Sequence, residues 1–190
     1  MEWGKPSLRI ISGIKRGKNL LTFEGEHIRP TTDRVKEAIF NLIQDRVYDS
    51  VVYDAFSGTG ALAIEAVSRG AQFAVCTDVD DRSIDIIHKN FEGCSFSDKC
   101  EIIKTSACSY LEKTDKQFDL IFMDPPYNKG LVTPALELII RRNILSPNGS
   151  IIIERDGVDD TFDHSGFSVE KERSYGRTVI TVLKSQQKEV

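Results

Sequence analysis

Histidine and tryptophan are scarce in this chain, three of the first and one of the second among 190 residues. The histidines are scattered at 27, 88 and 164, and the four cysteines, at 76, 94, 100 and 108, show no C-x-x-C spacing. That excludes a zinc pattern and leaves no metal site to expect. Unpaired thiols in a reducing compartment are the expectation. No apolar run approaches the roughly 20 residues that span a bilayer, so no membrane segment is expected. The opening "MEWGKPSLRI" lacks the apolar core of a signal peptide, which makes a cytoplasmic location the expectation. Internal repeats, low-complexity tracts and linkers long enough to separate domains are missing too.

What is present is an ordinary folded-domain balance, 40% hydrophobic and 28% charged residues. The length suits one domain with a small extension. The net charge of −4 argues against a nucleic-acid binder until it is divided. Residues 1–36 carry eight Lys and Arg against four acids, so this segment is +4 and the remainder −8. Such asymmetry points to a basic arm for a polyanion on an acidic body. A solvated surface strand pair would give the same pattern.

From residue 51 onward strands and helices alternate. "SVVYDAF", "AQFAVCTDV", "CEIIKTS", "FDLIFMD" and "SIIIERD" read as strands. Between them "GALAIEAVSRG", "DRSIDIIHKNF", "CSYLEK" and "VTPALELIIRRNIL" read as helices, the first ending at Gly70 and the last stopped by "SPNG". This alternation predicts an α/β fold, a doubly wound and mostly parallel sheet covered on both faces. "GFSVEKERSYG" and "RTVITVLK" add a C-terminal antiparallel hairpin at one edge, giving seven strands. The first 45 residues differ. "LRIISG" and "KNLLTF" flank the turn "IKRG" as a small β-hairpin, and "TTDRVKEAIFNLI" is a helix with Val35, Ile39, Leu42 and Ile43 on one face. The expected division is a basic hairpin and helix at 1–45 and an α/β domain at 46–190.

In an open parallel sheet, ligands sit beyond the carboxyl ends of the strands where the strand order reverses. Four features fall at such ends. "DAFSGTG" (54–60) follows the first strand, with Gly58 and Gly60 allowing a tight turn and close ligand approach. Asp78, followed by Asp80, ends the second strand, where a carboxylate can accept bonds from both hydroxyls of a ribose. "TSAC" (105–108) ends the third, and "MDPPYNKG" (123–130) the fourth. Pro126 has no N–H and Pro125 holds Asp124 extended, so the strand must stop with a carboxylate and an aromatic ring at its tip. "GTGALA" also fits the dinucleotide fingerprint, with Asp78 20 residues beyond Gly58. The glycines, however, follow an acid in the order D-x-x-x-G-x-G. That order suits a ligand with a charged amino-acid end better than a pyrophosphate.

"DAFSGTG" resembles motif I of class I S-adenosylmethionine-dependent methyltransferases, with their Rossmann-like fold, and Asp78 resembles their ribose-binding acid. "DPPY" resembles their motif IV in the version that methylates exocyclic amino groups of bases. Together with "RPTTDRVKEAIFNLI", "DAFSGTGALAIEAVSRGA" and the late "SYG", the chain from about Leu8 to Lys184 resembles one family in matching order. That family is the bacterial methyltransferase making N2-methylguanine in small-subunit (16S) ribosomal RNA. The resemblance implies S-adenosyl-L-methionine as cofactor. Asp54, Ala55, Phe56, Ser57, Gly58 and Gly60 would border its methionine end, with Asp54 near the ammonium group. Asp78 would hold the ribose, Val79 would pack on the adenine, and Asp124 would border the site. Many relatives have an acid at position 106. Here Ser106, beside Ala107, or a neighbouring main-chain carbonyl would have to meet the adenine amino group.

Guanine's N2 is a poor nucleophile, so acceptors must hold its protons and turn the nitrogen toward the methyl group. Asp124 supplies one acceptor and the Pro125 carbonyl another, Pro125 and Pro126 fix both, and Tyr127 offers a ring for the base. Arg29, Thr31 and Arg34 would meet phosphates flanking a flipped-out guanosine; capping by Thr32 or Asp33 and local ion pairs are the plainer reading. Expected partners are 16S ribosomal RNA and a partly or fully assembled small ribosomal subunit, met by a monomer. Two other functions share these motifs. DNA adenine-N6 methyltransferases also use "DPPY", and a catalytically silent nucleotide-binding protein would keep the glycine loop. Glu65 is read as serving the fold, and His88 as lying on a solvated helix face.

Overall fold

The structure, a computed structural model, describes residues 8–23, 33–126, 129–157 and 161–186. Runs rich in valine and isoleucine, which favour the pleated sheet, supply β1 (Val51–Asp54), β2 (Phe73–Asp78), β3 (Cys100–Lys104), β4 (Phe118–Met123) and β5 (Leu145–Asp156). Helix α1 (Asp33–Leu42) precedes them; α2 (Ala61–Ser68), α3 (Asp81–Gly93), α4 (Ala107–Leu111) and α5 (Val132–Arg141) connect them. The tail forms β6 (Phe167–Tyr175) and β7 (Thr178–Ser185). One sheet results, in the order β3-β2-β1-β4-β5-β7-β6, with the first five strands parallel and the hairpin antiparallel against β5. This is the Rossmann-like architecture expected. The two faces bury separate cores, one under α1, α2 and α3 and one under α4 and α5.

Helix ends set the strand starts. After α2, Gly70 adopts φ +105°, with Gly70 N–H on Val67 O and Ala71 N–H on Ala66 O, so this helix stops where its glycine indicates. Helix α5 stops earlier than "VTPALELIIRRNIL" suggests. Asn143 takes φ +53°, and the N–H groups of Asn143 and Ile144 bond back to Ile140 and Ile139. Asparagine here does the work usually given to glycine, because its short polar side chain tolerates the left-handed region. Leu145 is thereby released to pair with Phe118, and β5 begins five residues before "SIIIERD", with a register shift between the Phe118–Leu145 and Leu120–Ser150 pairs.

The N-terminal pairing is shorter than a full hairpin. Among the described residues it consists of one bridge, Arg9 with Asn19, supported by Ile10 N–H on Lys18 O and Leu20 N–H on Leu8 O. Pairing stops because the next amides have another acceptor: Ile11 and Ser12 donate to the two Glu65 carboxylate oxygens at 2.8 and 2.9 Å. Glu65 also accepts from Arg69 Nε at 2.8 Å and lies 3.2 Å from Lys36 Nζ. Lys36 is fully buried and donates to the Arg9 carbonyl; burial lowers its pKa, with Glu65 opposing. Leu8, Ile10 and Leu20 share one core with α2, all eight of whose residues are buried. Glu65 therefore serves the fold, and His88 is exposed on α3, both as read from the sequence.

Candidate active site

The strand order reverses between β1 and β4, and the acids cluster there. Asp54 ends β1, Asp78 ends its neighbour β2, and Asp124 directly follows its other neighbour β4. Asp54 pairs with Cys76 and Phe122, so Asp78 and Asp124 each project two residues further along adjacent strands. Three carboxylates on neighbouring tips repel one another, and the repulsion is felt most where water is absent. Asp54 is 1% exposed, and its Oδ1 has no hydrogen-bond partner among the described residues. Burial, and then the Asp124 charge, push its pKa up to about 7, with the Ala63 N–H opposing. A buried carboxylate oxygen without a donor calls for a cation or donor from outside.

The loop 55–60 is held as a rigid rim over this acid. Ala55 N–H bonds Phe122 O, Ser57 N–H bonds Thr77 O, and the Ser57 hydroxyl donates to Asp54 O at 2.8 Å. Phe56 is half-buried beside them. Gly58 has φ +54° and open space where a Cβ would stand; Gly60 has φ +76° and would press a Cβ against Ile87. One glycine thus leaves room above the loop, and the other permits close packing below it. Asp78 accepts from Gly58 N–H and Asp80 N–H, both at 2.9 Å, one to each carboxylate oxygen. Asp80 is instead the N-cap of α3, accepting from Arg82 N–H. Val79 stands 66% exposed beside these acids, an apolar side chain open to a flat ligand.

Ser106 is the N-cap of α4, and its hydroxyl both accepts from Ser109 N–H and donates to Ser109 Oγ. Thr105 N–H bonds Asp78 O at 2.9 Å, which draws this loop beside Asp78, and Ala107 is buried behind it. After β4, Pro125 is buried, Pro126 exposed and Asp124 half-buried. The prolines form one wall of a concavity completed by Leu131, Val132, Thr133 and Phe162. Phe162 escaped the sequence reading: it follows the last parallel strand, and its only signal is an aromatic ring in a loop near a strand tip. Arg155 on β5 lies 6.0 Å over its ring, and Asp163 N–H ties the loop to Thr133 Oγ1 at 3.0 Å. Arg34 is exposed on the first turn of α1, while Arg9 pairs with Asp33 at 2.8 Å. Arg29, Thr31 and Tyr127 lie outside the described residues.

No helix of the described residues is long and apolar enough to cross a membrane, and among them no cluster of three or more His, Cys, Asp and Glu could hold a metal ion. A family model described as "Conserved hypothetical protein 95" matches residues 8–184. The chain is 34% identical over 176 residues to Ribosomal RNA small subunit methyltransferase D of Haemophilus influenzae, covering 90% of this chain and 91% of that one. The solved structure of Escherichia coli yhhF superposes with a TM-score of 0.84 at 26% identity, covering 96% of this chain and 99% of that one. An RNA methyltransferase from Salinibacter ruber, solved with S-adenosyl-L-homocysteine, gives a TM-score of 0.62 over 80% of this chain and 91% of that one; at 19% identity that likeness concerns the fold alone.

Proposed function

This chain belongs to the Conserved hypothetical protein 95 family, and from that premise we propose that it methylates the exocyclic N2 of a guanosine in small-subunit (16S) ribosomal RNA. The cofactor is S-adenosyl-L-methionine, whose sulfonium supplies an electrophilic methyl group. One observation carries the reading. A buried Asp54 carboxylate at the switch point, whose Oδ1 has no donor among the described residues, lies beside the fixed Asp124–Pro125–Pro126 tip. Together they offer a place for a cationic amino-acid end next to a pair of acceptors for an amino group.

Asp54 Oδ1 receives the ammonium group, and Ala55, Phe56, Ser57, Gly58 and Gly60 border the methionine end. Asp78 keeps lone pairs on both oxygens beyond the amides it accepts, enough to take the ribose hydroxyls. Val79 packs on the adenine beside Ala107. Because the Ser106 hydroxyl caps α4, a main-chain carbonyl beside it meets the adenine amino group.

The Asp124 carboxylate and the Pro125 carbonyl hold the two N2 protons, which turns the nitrogen lone pair toward the methyl group. Asp124 takes the released proton afterwards. Tyr127 stacks on the guanine beside the Pro125–Pro126 tip. Arg29, Thr31 and Arg34, in the extension of residues 1–45, hold the flanking phosphates of the flipped nucleotide. Residues 46–190 carry the methyltransferase domain. The enzyme acts as a monomer in the cytoplasm, on a partly or fully assembled subunit.

The test is transfer from labelled cofactor to small subunits from a strain lacking the gene, with nucleoside analysis. N2-methylguanosine at one site is expected; label in DNA alone would overturn the reading. Asp124→Ala should abolish transfer and leave cofactor affinity within a few fold, since its partner is the base. Near-normal turnover in that variant would remove Asp124 from its assigned role.

A further inference from the structure

Asn90 on α3 is 3% exposed and takes no part in the chemistry above. Its Oδ1 accepts from Leu21 N–H at 2.7 Å, and its Nδ2 donates to Leu21 O at 3.1 Å and to Thr59 O at 2.9 Å. Only one orientation of the carboxamide satisfies all three bonds, because a flipped amide would set its NH₂ against the Leu21 N–H. Asparagine is a poor helix former, and an apolar side chain would fill a buried site more cheaply if packing were the whole need. What the carboxamide adds is a bridge between main-chain groups of two segments far apart in sequence.

Both ends of the bridge matter. Thr59 sits between Gly58 and Gly60, two residues of positive φ without side chains to anchor the loop. The Thr59–Gly60 peptide is gripped on opposite sides, its carbonyl by Asn90 and its N–H by Ser57 O at 2.7 Å. Leu21 belongs to the basic arm and is 52% exposed, and the arm touches this site through its backbone.

We propose that Asn90 is a positioning residue that makes the N-terminal arm a structural part of the cofactor loop. The arm's Leu21 fixes the carboxamide, the carboxamide fixes the Thr59 carbonyl, and the loop keeps the shape that receives the cofactor's methionine end. The proposal rests on the methyltransferase reading above.

The test measures S-adenosyl-L-homocysteine affinity by calorimetry in Asn90→Ala, in Leu21→Pro, which deletes the N–H donor, and in the double variant. Urea unfolding is followed in parallel. Each single change should weaken binding about three- to tenfold, the range of one or two lost hydrogen bonds. The double variant should be little worse than Asn90→Ala, because both changes break one bridge. Turnover at saturating cofactor should stay near wild type while the cofactor KM rises. If Asn90→Ala does not fold, Leu21→Pro carries the test. Affinity within twofold of wild type in a folded single variant overturns the proposal, as do fully multiplicative effects in the double. A wild-type protein that fails to bind the ligand overturns the methyltransferase reading, and this inference with it.

Discussion

Asp54 and Asp124 stand on adjacent strand tips, yet their surroundings give them different duties. Asp124 is half-buried after β4, whereas Asp54 is sealed beneath the loop with its pKa pushed up to about 7. Below that pH Asp54 is a neutral acid and offers an ammonium group little; above it the charge is present and matched. Affinity for S-adenosyl-L-homocysteine should therefore rise roughly tenfold from pH 6 to pH 8 and level off, following ionisation of one group. Asp54→Asn should bind more weakly at pH 8 and show a flat profile across the same titrations. The ligand-free protein should respond with the opposite sign. The unfolded chain ionises near the ordinary aspartate value of about 4, before the folded one does. Stability from this group is therefore lost as pH rises from there through about 7. The acids, the glycines and the prolines were legible in the sequence because each is a local rule about backbone or charge. Asn90, Phe162 and the Lys36–Glu65 pair were not, because their partners are main-chain groups or rings from distant segments.

At the scale of elements, the arm and α2 explain each other. An eight-residue helix buried on every side needs a cover on the face away from the sheet, and residues 8–20 provide it. The cover is fastened at its turn. Ile14 N–H bonds Ser68 O at 2.8 Å, Lys15 N–H bonds Ser68 Oγ at 3.0 Å, and the Ser68 hydroxyl donates to Ser12 O at 2.7 Å. Gly13 sits at φ +85° with the Ser68 carbonyl oxygen 1.8 Å from where a Cβ would be. Backbone meets backbone there, so no side chain can yield. Gly13→Ala should destabilise the fold by at least about 2 kcal/mol, left-handed strain plus displacement of the turn. Gly17 shares the strain, at φ +84°, with nothing within 4 Å. Gly17→Ala should cost only about 1 kcal/mol, and urea midpoints of the two variants would separate clash from strain. Equal losses would mean that the turn does not rest on Ser68. The sequence announced the end of α2 through Gly70 but hid the end of α5. The left-handed conformation of Asn143 is held by bonds to the preceding turn, its own N–H on Ile140 O and Ile144 N–H on Ile139 O.

Across the whole molecule, strand order turns short motifs scattered over 70 residues into one site. The alternation of strands and helices was legible because its periods are local. The reversal between β1 and β4 had to be supplied by the general topology of such sheets. Charge is the other property of this scale. The acidic cluster at the strand tips suits a cationic cofactor end but repels RNA, whereas the arm, proposed above to meet the RNA, holds the excess of positive charge. Not all of that charge is available, since Arg9 is paired with Asp33 and Lys36 is buried against Glu65. Arg34 is exposed at the start of α1, on the side of the chain that leads from the arm. If Arg29 and Arg34 each neutralise a phosphate, changing both to Glu should weaken RNA binding at every sequence tested. The slope of log affinity against log salt should then fall by roughly 1.5, the share of two phosphate contacts. Filter binding of a 16S ribosomal RNA fragment from 50 to 300 mM salt would read that slope. A weaker affinity with an unchanged slope would mean that these arginines hold the arm to local acids, as Arg9 does, and that the phosphates are gripped elsewhere.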